Sequence, residues 1–238
     1  MTSTPSSDGP PARTASHAPT TDPSPTSWGD ADGRGVLLDL DGTLVDSVYQ
    51  HVLAWYEAFH SHGLHVHAAA IHAGIGLGSD RLIPWLVGEV EDPEGLADAH
   101  LTRFLEHADD LSPTPGACEL LEDLERRAVP HLVATSSGTL TRGALLSALG
   151  REDLQVIDAS DVTSSKPAPD LLASGAAELS LPPERLTMVG DAPWDARSAR
   201  RLGMEAIGVR TGGFTEQVLR EAGATWVVAT PRELMGTL

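Results

Sequence analysis

Asp39 and Asp41 stand two apart, with Leu40 between them, in VLLDLDGTLVDS, directly after an apolar run and just ahead of a glycine. Asp191 and Asp195 stand four apart in VGDAPWD, again after an apolar run. Thr135 and Ser136 close a third such run, PHLVAT, and Lys166 follows a fourth in SSKPAPD. Carboxylates that converge without nearby cations cannot all stay charged, so they share protons or bind a hard cation. Mg²⁺ suits such a set: it takes oxygen ligands, keeps several waters and is commonly held by one or two carboxylates plus a substrate phosphate.

That convergence requires a particular scaffold. Residues 35–40, 130–135, 154–159, 186–190, 205–209 and 225–229 are short, β-rich and bounded by turn residues, which predicts strands. Helical spacing fills the gaps, as in Leu120, Leu121 and Leu124, in Leu140, Ala144, Leu145 and Ala148, and in Leu171, Leu172, Ala176 and Leu179. Alternating strands and helices predict an α/β fold, a doubly wound parallel sheet with helices on both faces. Ligands bind such sheets beyond the carboxyl ends of the strands, where all of these polar residues lie.

One gap is too long for a single crossover. Between Asp46 and Ser112 four helical pieces and no strand are expected. Val48, Val52, Trp55, Tyr56 and Phe59 share a helical face that ends at Gly63. DPEGLADAHLTRFLEHA opens with an aspartate cap and Pro93 in its first turn. In SDRLIPWLVGEV, Pro84 removes a backbone donor and is expected to break the helix. The expected organisation is a core of residues 34–46 and 112–238 with a helical cap, 47–111, inserted into it. Residues 1–33 hold six Pro, six Ser and six Thr. Such a segment buries too little to offset its ordering entropy and is expected to be disordered.

With four motifs at successive strand ends, the chain resembles the haloacid dehalogenase (HAD) superfamily over residues 35 to about 229. The carriers are DLDGTLVDS, the Thr-Ser pair after the second strand, the lysine before PAPD, and GDAPWD. The resemblance implies a Rossmann-like core with a helical cap and roles for single residues. Asp39 would be the nucleophile that forms an aspartyl-phosphate, and Asp41 the general acid and base. Mg²⁺ would be held by Asp39, Asp191 and the backbone carbonyl of Asp41, with Asp195 supporting the metal shell directly or through water. Thr135, Ser136 and Lys166 would hold the transferring phosphoryl group, Lys166 also holding Asp39. Gly42 would permit the turn after the nucleophile, with Thr43 bonding back toward Asp39. The acid at position 41 argues for phosphorus chemistry over dehalogenation. The implied activity is hydrolysis of a small phosphorylated metabolite, such as phosphoglycolate or a sugar phosphate. A β-phosphoglucomutase-like phosphomutase is the alternative, and a catalytically silent binding protein a third reading that no replaced motif residue supports.

The totals narrow the partners. A formal net charge of −18 in 238 residues repels nucleic acid and anionic lipid, and any phosphate site must supply its own positive charge. Lys166 and Mg²⁺ would do so. The single cysteine, Cys118, forms no internal disulfide, no run of about 18 apolar residues spans a membrane, and the N-terminus lacks a secretion signal. A cytoplasmic protein is expected, and its oligomeric state is open.

Three further stretches draw notice. GIGLGSDRL, residues 74–82, is the expected specificity loop of the cap: Gly76 and Gly78 allow close backbone approach, and Arg81 either meets a second anionic group or is a solvated surface residue. Eight of the ten histidines lie between His51 and His107, but their spacing and the lack of accompanying cysteines do not match a standard zinc site. RTGGFTEQVL, residues 210–219, looks like a phosphate loop but is read as a structural helix entry.

Overall fold

The computed structural model describes residues 33–158 and 166–238. The Pro/Ser/Thr-rich segment, apart from Gly33, and the end of the predicted third strand, Ala159, lie outside the described residues.

Six parallel strands form the central sheet in the order β5-β4-β1-β6-β7-β8. They are β1 (Gly35–Leu38), β4 (His131–Ala134), β5 (Val156–Ile157), β6 (Leu186–Gly190), β7 (Glu205–Val209) and β8 (Trp226–Val228). The fold is α/β, a doubly wound parallel sheet with helices on both faces. Its physical cause is visible in β1, where all four residues are buried and successive side chains alternate sides. Val36 and Leu38 join an apolar cluster with α5 (Ala117–Arg126) and α6 (Thr139–Leu149). Leu37 points the other way, into a cluster with α7 (Asp170–Glu178), α8 (Pro193–Leu202) and α9 (Glu216–Ala222). The chain leaves β1 first for β4 and β5 on one side and returns to β6 on the other, so a crevice opens at the carboxyl end of β1. Cys118 lies half-buried on α5, and burial pushes its thiol pKa up, away from a reactive thiolate.

Between β1 and α5 runs the helical insert. A two-stranded antiparallel ribbon, β2 (Val45–Asp46) with β3 (Ser112–Pro113), closes its base, an element too short to show in the pattern of apolar residues. Beyond it lie α1 (Val48–Ser61), α2 (Ala68–Gly74), α3 (Ser79–Val87) and α4 (Pro93–Glu106) around their own core of Val48, Val52, Trp55, Phe59, Ile71, Leu82, Ile83 and Leu96. Asp92 caps α4 by accepting from the Gly95 amide at 2.9 Å.

Three local expectations need correction. Helix α3 runs through Pro84 and stops at Gly88, whose φ is 74°. A proline there removes one intrahelical bond, while Leu82 and Ile83 anchor the helix in the cap core. Tyr56 is 45% exposed, because the buried face of α1 turns on Val52, Trp55 and Phe59 instead. Leu140, expected on the buried stripe of α6, is 63% exposed, since the first turn of α6 projects past the core toward the cap.

Candidate active site

The first residues after the strands meet in the crevice. The Asp39 amide donates to the Val189 carbonyl at 2.9 Å, which continues the β1–β6 ladder one residue and sets the Asp39 carboxylate beside Asp191. Asp39, Asp191 and Asp195 are all buried, and one carboxylate oxygen of each lies within 4.8 Å of the others. Lys166, 1% exposed, ion-pairs with Asp39 and, at 2.7 Å, with Asp195. The other oxygen of Asp195 accepts from the Ala192 amide at 3.1 Å, closing the first turn of α8. Thr43 donates to Asp191 Oδ1 at 3.0 Å, which corrects the expected bond to Asp39. The turn at Gly42 carries Thr43 over the end of β6, where Asp191 is the nearer acid.

Asp191 Oδ2 is buried with no hydrogen-bond partner among the described residues. Two glycine backbones crowd it: a Cβ on Gly42 would lie 2.5 Å from it, and one on Gly212 1.7 Å. RTGGFTEQVL is thus a helix entry, with Thr215 accepting from the Val218 amide at 3.3 Å, whose glycines also admit the Asp191 carboxylate. Burial, with like charge from Asp39 and Asp195, pushes the Asp191 pKa well up. Asp39 is raised to about 8: burial and the charges of Asp195 and Asp41 outweigh the pull of Lys166. A partnerless buried carboxylate oxygen within a three-acid cluster that one lysine does not neutralise fits a hard divalent cation. Among the described residues the histidine-rich stretch adds no ligand to this cluster.

Asp41 faces different company. His51 Nε2 lies 2.7 Å from its Oδ1, Ser47 donates to the same oxygen at 2.9 Å, and Ser137 donates to Oδ2 at 2.6 Å. Thr135 adds a longer contact of 3.4 Å to Oδ2 and accepts from the Ser137 amide at 3.0 Å. Burial raises the Asp41 pKa, but the His51 charge and these hydrogen bonds outweigh it and hold the group down at about 2. The Asp41 carboxylate takes no place in the three-acid cluster.

Both acids line one cleft of about 100 Å³, with His51, Gly76, Gly78 and Ser136 among its walls. Ser136 Oγ is buried without a partner among the described residues, while Thr135 is fully buried. Gly76, at φ 95°, lets the cap loop settle on the core; a Cβ there would lie 2.9 Å from that of Ala192. Gly78 precedes α3. Arg81 does not line the cleft: its side chain is half exposed and lies 3.5 Å from Asp80.

Ser47, His51 and Ser137 escaped the reading of the sequence. Ser47 and His51 are four apart across the start of α1 and so share a face, a spacing that could have flagged them. Ser137 carried no signal beyond adjacency to Ser136.

A family description for haloacid dehalogenase-like hydrolases matches residues 34–203. The chain belongs to that family. Among its HAD relatives, the N-acetylmuramic acid 6-phosphate phosphatase of Pseudomonas aeruginosa is 30% identical over 213 residues, covering 86% of this chain and 94% of the relative. Hexitol phosphatase A of Escherichia coli is 32% identical over 195 residues, covering 78% and 87%. A hydrolase of Pseudomonas syringae, solved by crystallography, superposes with a TM-score of 0.83 at 32% identity, covering 84% of this chain and 95% of that one. The protein is a HAD-type enzyme, and the two relatives from Pseudomonas aeruginosa and Escherichia coli are phosphatases.

Proposed function

We propose that this HAD-type phosphatase is Mg²⁺-dependent and hydrolyses small phosphorylated metabolites through an aspartyl-phosphate on Asp39. One observation carries the reading. Two carboxylates, two residues apart, line the same cleft, yet their surroundings push them in opposite directions: Asp39 up, among acids, and Asp41 down, among donors. Such a split separates a metal-assisted nucleophile from an acid-base group.

Mg²⁺, held by Asp39, Asp191 and Asp195, would neutralise phosphoryl oxygens and keep Asp39 ionised at neutral pH. The Asp41 backbone carbonyl is a fourth ligand on family resemblance. Lys166 orients Asp39 through their ion pair and draws charge toward the phosphoryl site. Asp39 attacks phosphorus, the bond to the leaving oxygen breaks, and that oxygen takes a proton from Asp41. Asp41 is a carboxylate in this arrangement, so for that step it must first be protonated, and His51 Nε2 at 2.7 Å is within reach to pass the proton. Asp41 then takes a proton from water, the resulting hydroxide attacks the phosphoryl group, and the phosphorus–Asp39 bond breaks to release phosphate. Ser136 Oγ, which has no hydrogen-bond partner among the described residues, is the donor left for the phosphoryl oxygens. Thr135 acts at one remove, holding Asp41 and Ser137. A single cysteine, and no described helix long and apolar enough to cross a membrane, are consistent with a cytoplasmic location.

The test is phosphate release from phosphoglycolate, sugar phosphates and para-nitrophenyl phosphate, with Mg²⁺ or with EDTA. Wild-type protein should release phosphate only with the metal, and Asp39→Asn should release none. Metal-independent turnover, or an active Asp39→Asn, would refute the mechanism.

A further inference from the structure

A second cavity adjoins the catalytic cleft and shares part of its wall. Ser79 and Gly138 line both, and the second, about 330 Å³, lies in the seam between cap helix α4 and the first turn of core helix α6. Its walls include Asp98, His100, Thr139, Leu140 and Thr141. The exposure of Leu140, 63%, is the anomaly noted in the fold: an apolar side chain from an otherwise buried stripe faces this space.

We infer that the second cavity is the subsite for the leaving group, and that it selects phosphate monoesters of neutral, polyhydroxylated alcohols over substrates with a second anionic group. This rests on the phosphatase reading above. The chemistry follows from the lining. Hydroxyls of Ser79, Thr139 and Thr141 both donate and accept, the Asp98 carboxylate accepts from hydroxyls, and Leu140 and Leu101 offer apolar surface to a carbon skeleton. No lysine or arginine lines either cavity among the described residues, and Arg81, the sequence's candidate for a second anion, lies elsewhere. The undescribed stretches contain one basic residue, Arg13. Burial holds the His100 pKa well below its usual value, so the ring is neutral at neutral pH. Among the described residues that line the second cavity, the one fixed charge is Asp98, an acid, which offsets the positive end of α6 and repels a carboxylate or second phosphate. A substrate held at Asp39 in the first cleft can extend past Ser79 and Gly138, the walls the two spaces share, into the seam.

The experiment compares kcat/KM, with Mg²⁺, for sorbitol 6-phosphate, 2-phosphoglycolate, fructose 1,6-bisphosphate and acetyl phosphate. Two variants at exposed positions accompany the wild type: Asp98→Arg and Leu140→Arg. Wild type should favour sorbitol 6-phosphate over phosphoglycolate and the bisphosphate by about tenfold or more, and either arginine should lower that ratio at least about fivefold. Equal use of the three, or preference for an anionic leaving group, overturns the inference while leaving the phosphatase reading intact, since acetyl phosphate still turns over. A wild-type preference that neither arginine alters overturns the placement in this cavity. Failure to hydrolyse any compound, acetyl phosphate included, refutes the phosphatase reading and this inference with it.

Discussion

His51, on the first helix of the cap, places Nε2 2.7 Å from Oδ1 of Asp41, on the loop that follows the central strand of the core. A residue of the inserted domain thereby sets the protonation state of a core acid. Its other ring nitrogen lies 3.0 Å from His100 Nε2, and its ring stacks on Phe104 with centroids 4.0 Å apart. Any movement of the cap that shifts α1 changes the charge environment of Asp41.

Replacing His51 with alanine removes the largest influence holding Asp41 down. We expect kcat to fall by about a hundredfold. Asp41 itself should titrate closer to the ordinary carboxylate value than to about 2, and the pH dependence of kcat/KM, which follows the proton Asp41 must give to the leaving oxygen, should change with it. His51→Gln, which keeps a donor, should recover part of the rate. Rates measured from pH 3 to 7 decide it; an unchanged profile would reduce His51 to a packing residue.

In metal-free protein, Asp39 is raised to about 8 and Asp191 is raised as well. Between the ordinary carboxylate value, about 4, and the folded value, the folded chain keeps protons that the unfolded chain has lost, so stability falls as pH rises through that window. Asp41 is lowered, and its contribution is lost only as pH falls toward 2. The contribution of Lys166, raised by Asp195 and Asp39 against the effect of burial, is lost only above about pH 10. Thermal unfolding in EDTA should show Tm falling from pH 5 to pH 8. Saturating Mg²⁺ should flatten the fall, because the cation takes the place of the protons.

Gly212→Ala would put a methyl group 1.7 Å from Asp191 Oδ2 and force one of the two to move. A Mg²⁺ titration of activity should show the apparent affinity reduced by about tenfold or more, the scale of disturbed support around metal ligands. An unaltered titration would mean that Asp191 does not hold the metal.

Lys166→Met leaves the Asp39 and Asp195 carboxylates buried without their cation. Loss of one member of a buried ion pair costs about 3–5 kcal/mol, which denaturant melts would register, and activity should vanish. Mg²⁺ should restore more stability to this variant than to wild type. Equal stabilisation of the two would show that lysine and metal do not share the same carboxylates.

Much of this protein was legible in the chain itself. Burial of β1 on both faces follows from the β-rich run Val36–Leu38, and successive strands and helices dictate a parallel sheet with polar residues beyond its carboxyl edge. Those rules are local or topological, so Asp39, Asp41, Asp191 and the Thr135–Ser136 pair could be assigned to one crevice. Which partner each would take could not. Strand β1 ends at Leu38 and Gly42, at φ 72°, turns the chain, so Asp39 and Asp41 face different neighbours although a spacing of two in extended chain would put them on one side. Thr43 meets an acid 148 positions away, and Ser137 reaches Asp41 across 96. Such pairings depend on where loops cross and how the cap docks, and residue periodicity carries neither. The same holds for Tyr56, Leu140 and Arg81, whose helical spacing is compatible with burial or exposure until neighbouring helices are in place.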